Sequence, residues 1–209
     1  MELVLWLYGL DYDPAYPVVC FDERPCQLLN DVISPIPMKP GSCQKQDYHY
    51  ERQGTCCLLL AVEPKAGWRL VETSERKTAK DYTRFMQRLA AQYPQAKKIR
   101  LVQDNLNTHT AASFYKHLPA KQAFELAQRF EWYYTPKKAS WLNMAEIELS
   151  AIARTCLHRR IGSIQFMDQE VSQLVKERNA NKVSINWQFD IEAARNKFER
   201  FYNDIITRN

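Results

Sequence analysis

The run Ile-Arg-Leu-Val-Gln-Asp-Asn-Leu-Asn-Thr-His over 99–109 constrains this chain most, because a short apolar stretch with β-branched residues stops abruptly at a carboxylate and turns polar. Such a run reads as an interior strand that delivers Asp104 to the edge of an open α/β sheet, where ligands sit beyond the carboxyl ends of the strands. The competing reading is that Asp104 and Asn105 merely open a turn, the commoner role of an Asp-Asn pair. Two further stretches carry carboxylates that would partner Asp104: Val-Val-Cys-Phe-Asp-Glu over 18–23 and Trp-Leu-Asn-Met-Ala-Glu over 141–146.

The other elements follow in order. Residues 1–16 hold an amphipathic turn or two and end in Asp11-Tyr12-Asp13-Pro14, which reads as the end of a linker. A strand over 17–23 alternates Val18, Cys20 and Asp22 on one face with Val19, Phe21 and Glu23 on the other, so that Asp22 sits among buried neighbours and Glu23 turns away. The segment 30–50 holds three prolines, Gly41 and several basic residues, and reads as an irregular basic loop. Strands over 58–62 and 68–72 flank Pro64-Lys65-Ala66-Gly67, an antiparallel hairpin. Thr78 and Asp81 form a capping box for a helix whose Tyr82, Phe85, Met86, Leu89 and Tyr93 share one face.

After the strand ending at Asp104, helices over 111–118 and 120–130 lead to a strand over 131–135. A long helix over 142–157 follows, and then two amphipathic helices, one carrying Met167, Val171, Leu174 and Val175. The other, capped by Asp190, carries Ile191, Ala194, Phe198, Phe201 and Ile205. Strands separated by helices imply parallel neighbours through right-handed crossovers. The expected fold is α/β: a ribonuclease-H-like mixed five-stranded sheet flanked by helices, with the first strand central and Asp22 and Asp104 on neighbouring strands. The domain division expected is a linker remnant over 1–16 and one domain over 17–209.

Composition sets the outer limits. At 209 residues, with 45% apolar and 25% charged residues, the chain can bury one sizeable core. The net charge of +5 suits a polyanionic partner without requiring one. No apolar segment approaches the roughly 20 residues that span a bilayer, and the N-terminus lacks a basic signal-peptide region, so a cytoplasmic protein is expected. The six cysteines include no Cys-x-x-Cys pair, and Cys56 and Cys57 would point to opposite faces of a strand, so they read as reduced core thiols.

Asp22, Asp104 and Glu146 would therefore converge at one end of the sheet. Three clustered carboxylates repel one another unless cations join them, and hard oxygen donors without His or Cys point to Mg²⁺ or Mn²⁺. Two such ions about 3.5–4 Å apart would clamp the attacking and leaving oxygens of a phosphoryl displacement. Glu146 rather than Glu148 is assigned because two positions on a helix differ by roughly 200° around the axis. Asn143 and Ser150 share the stripe of Glu146, and Glu148 then reads as ordinary solvated charge. Asn105, His109 and Asn143 would support the carboxylates, although His109 fits a structural role equally well. Lys137, Lys138, Arg154, Arg159 and Arg160 would meet phosphates and Trp141 would stack on an unpaired base. Each of these alone also suits a solvated face or, for Trp141, the core.

The three stretches together, with Asp-Asn-x-x-x-His from Asp104 to His109 and Ser-x-Leu-Asn-x-x-Glu from Ser140 to Glu146, resemble the mariner-related bacterial insertion-sequence transposases of the DDE superfamily. The resemblance covers nearly the whole chain. It implies an acidic triad of Asp22, Asp104 and Glu146, two Mg²⁺ or Mn²⁺ ions, and metal-dependent cleavage of DNA strands at transposon ends followed by strand transfer. It further implies transposon-end and target DNA as partners, a homodimer in the active complex and residence at the nucleoid. Between Asp104 and Glu146 lie 41 residues, more than is usual in the wider family, which the extra helix over 120–130 accounts for. The first catalytic strand begins by Pro17, so the N-terminal helix-turn-helix modules of that family are expected to be missing and the chain to be a catalytic domain alone. A non-catalytic DNA-binding or dimerising remnant and a structure-specific nuclease of the same fold are the alternatives.

Overall fold

The computed structural model describes residues 1–200 and Tyr202. Its centre is one five-stranded sheet in the order β3-β2-β1-β4-β5, built from β1 (Val18–Asp31), β2 (Tyr50–Glu63), β3 (Trp68–Ser74), β4 (Ile99–Gln103) and β5 (Phe130–Tyr134). The β1, β2 and β3 neighbours run antiparallel, whereas β1, β4 and β5 run parallel. This is the ribonuclease-H-like order expected from the sequence, with β1 at the middle.

Helices cover both faces. On one face α2 (Ala79–Gln92), α3 (Ala111–His117) and α4 (Ala120–Gln128) pack Tyr82, Phe85, Met86, Phe114 and Ala123 against Val19, Phe21, Leu59 and Leu101. On the other, α1 (Glu2–Gly9) and α7 (Ile191–Lys197) cover Cys20, Val62 and Val102. There α5 (Ala145–Thr155) and α6 (Ile164–Ala180) cover Leu58 and Leu60. Strand β2 is thus buried on both sides from Cys56 to Glu63, which explains its unbroken apolar run. Thr78 caps α2 in a full capping box with Asp81, and Asp190 caps α7 through the Ala193 amide at 2.7 Å.

Four expectations need correction. Residues 1–16 are no linker: α1 buries Val4, Leu5, Leu7 and Tyr8, and the Tyr8 hydroxyl donates to the Leu142 carbonyl at 2.9 Å. An amphipathic segment of that composition gains more by covering the sheet than by lying in water. Strands β1 and β2 run well past their apolar cores as a long ribbon from Arg24–Leu58 to Asp31–Tyr50, interrupted by a register shift at Leu28 and Leu29. Polar ribbon residues give no burial signal, so only the apolar halves are readable. The helix expected over 142–157 is split into a 3₁₀ turn (Ser140–Leu142) and α5, because Asn143 uses its side chain to cap the Ala145 amide at 3.2 Å. Helical spacing groups Phe124 with Ala123, Ala127 and Phe130 on one side of the helix over 120–130, but Phe124 is 56% exposed, and Leu126 joins Ala123 in the core. Phe201 and Ile205 lie outside the described residues.

Candidate active site

The parallel pairing of β1 and β4 stops at Cys20 and Val102, and both chains deliver a carboxylate just beyond that point. Asp22 follows on β1, and Asp104 is the first residue after β4. With no β4 partner left, the Phe21 carbonyl accepts from Asn143 Nδ2 at 2.8 Å, and the same nitrogen lies 3.3 Å from Asp22 Oδ2. Asn143 therefore ties the start of α5 to the end of the paired part of β1, one turn before Glu146. Asp22 Oδ1 accepts from the Glu23 amide at 2.8 Å.

Burial, together with the charges of Glu146 and Asp104, pushes the Asp22 carboxyl up to about 6 against the Glu23 amide and His109, which pull it down. The three assigned carboxylates thus feel one another across the sheet end. They do so at electrostatic rather than ligating range: among the described residues no three His, Cys, Asp or Glu side chains are gathered closely enough to hold a metal ion. The donor set itself is of hard oxygens, and repulsion within it is what a divalent cation would relieve.

Behind Asp104 stands His109. Its Nδ1 lies 2.5 Å from Asp104 Oδ1 and its Nε2 lies 3.0 Å from Glu23 Oε1. The ring is 2% exposed, stacks on Tyr82 at 4.9 Å and meets the edge of Phe21 at 5.2 Å. Burial alone would lower its pKa, but hydrogen bonds and charge from Asp104 and Glu23 raise it to about 9, so both ring nitrogens donate. The hydrogen bond from His109 in turn holds Asp104 below the usual carboxylate range. Gln103 fixes the loop, accepting from the Tyr82 hydroxyl at 2.8 Å and donating to the His109 carbonyl at 2.7 Å.

Glu23, Gln103 and Tyr82 are the participants that sequence reasoning passed over. Strand alternation correctly sends Glu23 to the face opposite Asp22, but that face is covered, and the Glu23 side chain is only 6% exposed. The signal was available: Glu23 shares its face with Val19 and Phe21, and a carboxylate so placed needs a buried partner.

Glu148 is the larger correction. It is fully buried, not solvated, and lies between Arg69 of β3 and Arg178 of α6, with Arg69 Nε 2.9 Å and Arg178 Nε 2.7 Å from Oε1. Burial opposes its ionisation, yet Arg178 and Arg69 hold its pKa below the ordinary value.

The residues assigned to DNA divide in two. Lys137, Lys138 and Arg154 are exposed, and Trp141 is 42% exposed while packing edge-on against Phe189 at 5.6 Å. Arg159 pairs with Glu170. Arg160 is committed elsewhere: it donates to Asp31 at 2.7 Å and to the Asp47, Tyr48 and His49 carbonyls, so it anchors the loop after β1 instead of presenting a free cation. Asn105 is exposed next to Asp104.

Residues 17–168 match the family described as DDE superfamily endonuclease. The chain belongs to that family. No curated protein matches it. Among solved structures it is similar to the Mos1 transposase paired-end complex with left transposon end, at 14% identity and a TM-score of 0.52, covering 81% of this chain and 52% of that one. It is also similar to the Mos1 strand transfer complex, at 14% identity and a TM-score of 0.51, covering 90% of this chain and 60% of that one. These likenesses carry the fold, which is ribonuclease-H-like, and this DDE endonuclease domain spans only just over half to three fifths of the Mos1 chains. Among the described residues no helix is long and apolar enough to cross a membrane.

Proposed function

We propose that this DDE domain is a transposase catalytic domain in which Asp22, Asp104 and Glu146 hold two Mg²⁺ or Mn²⁺ ions at the end of the sheet. The observation that carries the reading is that β1 and β4 each deliver a carboxylate just past their last paired residues, where burial and the Glu146 and Asp104 charges push the Asp22 carboxyl up to about 6 while the His109 cation is hydrogen-bonded to Asp104 and Glu23. A bound divalent ion would supply an activated water and stabilise the departing 3′ oxygen of a phosphodiester. The chain's own residues position that chemistry. Asn143 fixes Asp22 and the first turn of α5, and His109 fixes Oδ1 of Asp104, whose side chain stays 47% exposed.

DNA is the proposed partner, as both Mos1 structures are transposition complexes by name. Exposed Lys137, Lys138 and Arg154 would meet phosphates, Trp141 would stack on an unpaired base, and Arg159 would join them only by leaving Glu170. The kinship we infer is with mariner-related insertion-sequence enzymes, with a homodimer as the active assembly and the nucleoid as its place of work. The domain proposed runs over 17–209 with α1 packed onto it, and contacts of its Lys and Arg side chains to phosphates carry no sequence information, so the binding they supply is indifferent to sequence and weakens with salt.

The test is nicking of supercoiled plasmid with and without Mn²⁺. Metal-dependent nicking is expected, abolished by Asp104→Asn with binding to random duplex retained. Nicking that survives Asp104→Asn, or binding without nicking at any Mn²⁺ concentration, would overturn the catalytic reading.

A further inference from the structure

Cys26 and Cys56 are directly opposed across the antiparallel β1–β2 ribbon, and the Cys26 thiol donates to the Arg24 carbonyl at 3.7 Å. Residues opposite one another in such a ladder have Cα atoms about 4.5–5.5 Å apart, inside the span a disulfide bridges. The two thiols differ in environment. Cys56 is 2% exposed against α5 and α6, whereas Cys26 is half-buried and opens onto a shallow cleft lined by Arg24, Leu157, Arg159, Ile161 and Met167. Two guanidinium-bearing residues thus flank the accessible sulfur.

We propose that Cys26 and Cys56 form an oxidisable dithiol that takes a disulfide from a small anionic disulfide such as oxidised glutathione. Cys26 is the accessible sulfur of the two and Cys56 the buried one; the neighbouring Cys56 thiol and Arg24 lower the Cys26 pKa, while Cys26 and burial raise that of Cys56. Cys26 is therefore the attacking thiolate and Cys56 the resolving thiol. In the first step Cys26 Sγ attacks one sulfur of the oxidant, the oxidant's S–S bond breaks, and one glutathione thiolate leaves and takes up a proton. In the second, Cys56 loses its proton and attacks Cys26 Sγ, releasing the second glutathione. The protein gives up two electrons and two protons, and one oxidised glutathione becomes two reduced ones. Arg24, joined by Arg159 once it leaves Glu170, favours an oxidant bearing carboxylates. The bond would pin β1 to β2 just beyond Asp22, at the root of the ribbon, and a reductant would release it.

The experiment uses the full chain under native conditions with oxidised glutathione, followed by peptide mapping without reductant. A single peptide pair joining Cys26 to Cys56 is expected, and Cys56→Ser should trap glutathione on Cys26. In wild type, Cys26 should be consumed at least 10-fold faster than exposed Cys43, a comparison that needs no variant. Oxidation of Cys26 no faster than Cys43, glutathione lodged mainly on Cys43, or a bond joining Cys26 to any other cysteine would overturn the proposal.

Discussion

Glu146 and Glu148 sit on the same helix two positions apart and live in opposite electrostatic worlds. Glu148, fully buried, has two arginines from two different elements on its oxygens. Glu146, half-buried, looks instead toward Asp22 and raises that carboxyl's pKa along with Asp104. The fold therefore places two guanidinium groups on a carboxylate that serves structure, whereas at the sheet end it gives Asp104 one imidazolium and leaves Asp22 beside like charges. The two are linked by geometry. Because Glu148 joins β3 to α6 through α5, it fixes the rotation of α5 about its axis, and a residue roughly 200° away must then face the opposite side.

The largest effect is expected at the cluster. Glu148→Gln leaves the guanidinium of Arg69, 1% exposed, without its counter-charge, and should destabilise by about 3–5 kcal/mol in urea unfolding. Replacing the fully buried pair, Arg69→Met with Glu148→Leu, should recover most of that loss, because the penalty lies in the stranded buried charge, and Arg178, 24% exposed, can turn to water. A loss under about 1 kcal/mol for the single variant would remove the cluster as the anchor of α5.

Next comes His109, the cation nearest the acidic end. Its folded pKa of about 9 stands above the unfolded 6.5. Its contribution is thus complete below pH 6.5 and fades as pH climbs through 9, by about 3 kcal/mol. His109→Gln should flatten that limb of the stability curve. If the wild-type and variant curves stay parallel from pH 6 to 10, the imidazole is not held charged by Glu23 and Asp104.

The contrast between the two glutamates also marks what a sequence can disclose. Helical spacing was enough to separate Glu146 from Glu148, and the strand order followed from where turns and helices interrupt apolar runs. The environment of Glu148 was not legible, because its partners Arg69 and Arg178 lie 79 and 30 positions away and nothing local signals them. The same holds for Glu23, whose face was correctly read but whose cover, the His109 ring, comes from a loop 86 positions on. Asn143 was seen as part of the site for a reason that did not survive: it ends one element and caps the next, so its reach to Asp22 comes from leaving the helix, not from a stripe along it.

A smaller effect of opposite sign is expected at Asp22. Its carboxyl titrates near 6 in the folded chain against 3.8 unfolded, so the native state holds the extra proton between those values and wild-type stability falls as pH rises through that window. Asp22→Asn escapes this penalty and should be more stable than wild type by about 2–3 kcal/mol at pH 7, with the gain vanishing below pH 4. Mn²⁺ should reverse the ranking, since a cation that binds only the folded triad raises the wild-type melting temperature and not that of the variant. Equal stability at pH 7 would mean that the sheet end is not electrostatically frustrated.

The smallest effect belongs to a third carboxylate, Glu72, which also carries two arginines. Arg84 and Arg88 reach it from α2, but their side chains are 50% and 49% exposed, whereas that of Arg69 beside Glu148 is fully buried. Water screens such cations and rehydrates the carboxylate when one is removed, so Arg88→Ala should cost about 0.5 kcal/mol, with Arg84 still in place. The comparison turns on this number. Glu72 and Glu148 have the same count of partners, and only the burial of those partners separates them. Should Arg88→Ala cost as much as Glu148→Gln in the same urea titration, pairing itself would be the stabilising variable. The acidic end of the sheet would then have to be explained without appeal to what burial does to an unmatched charge.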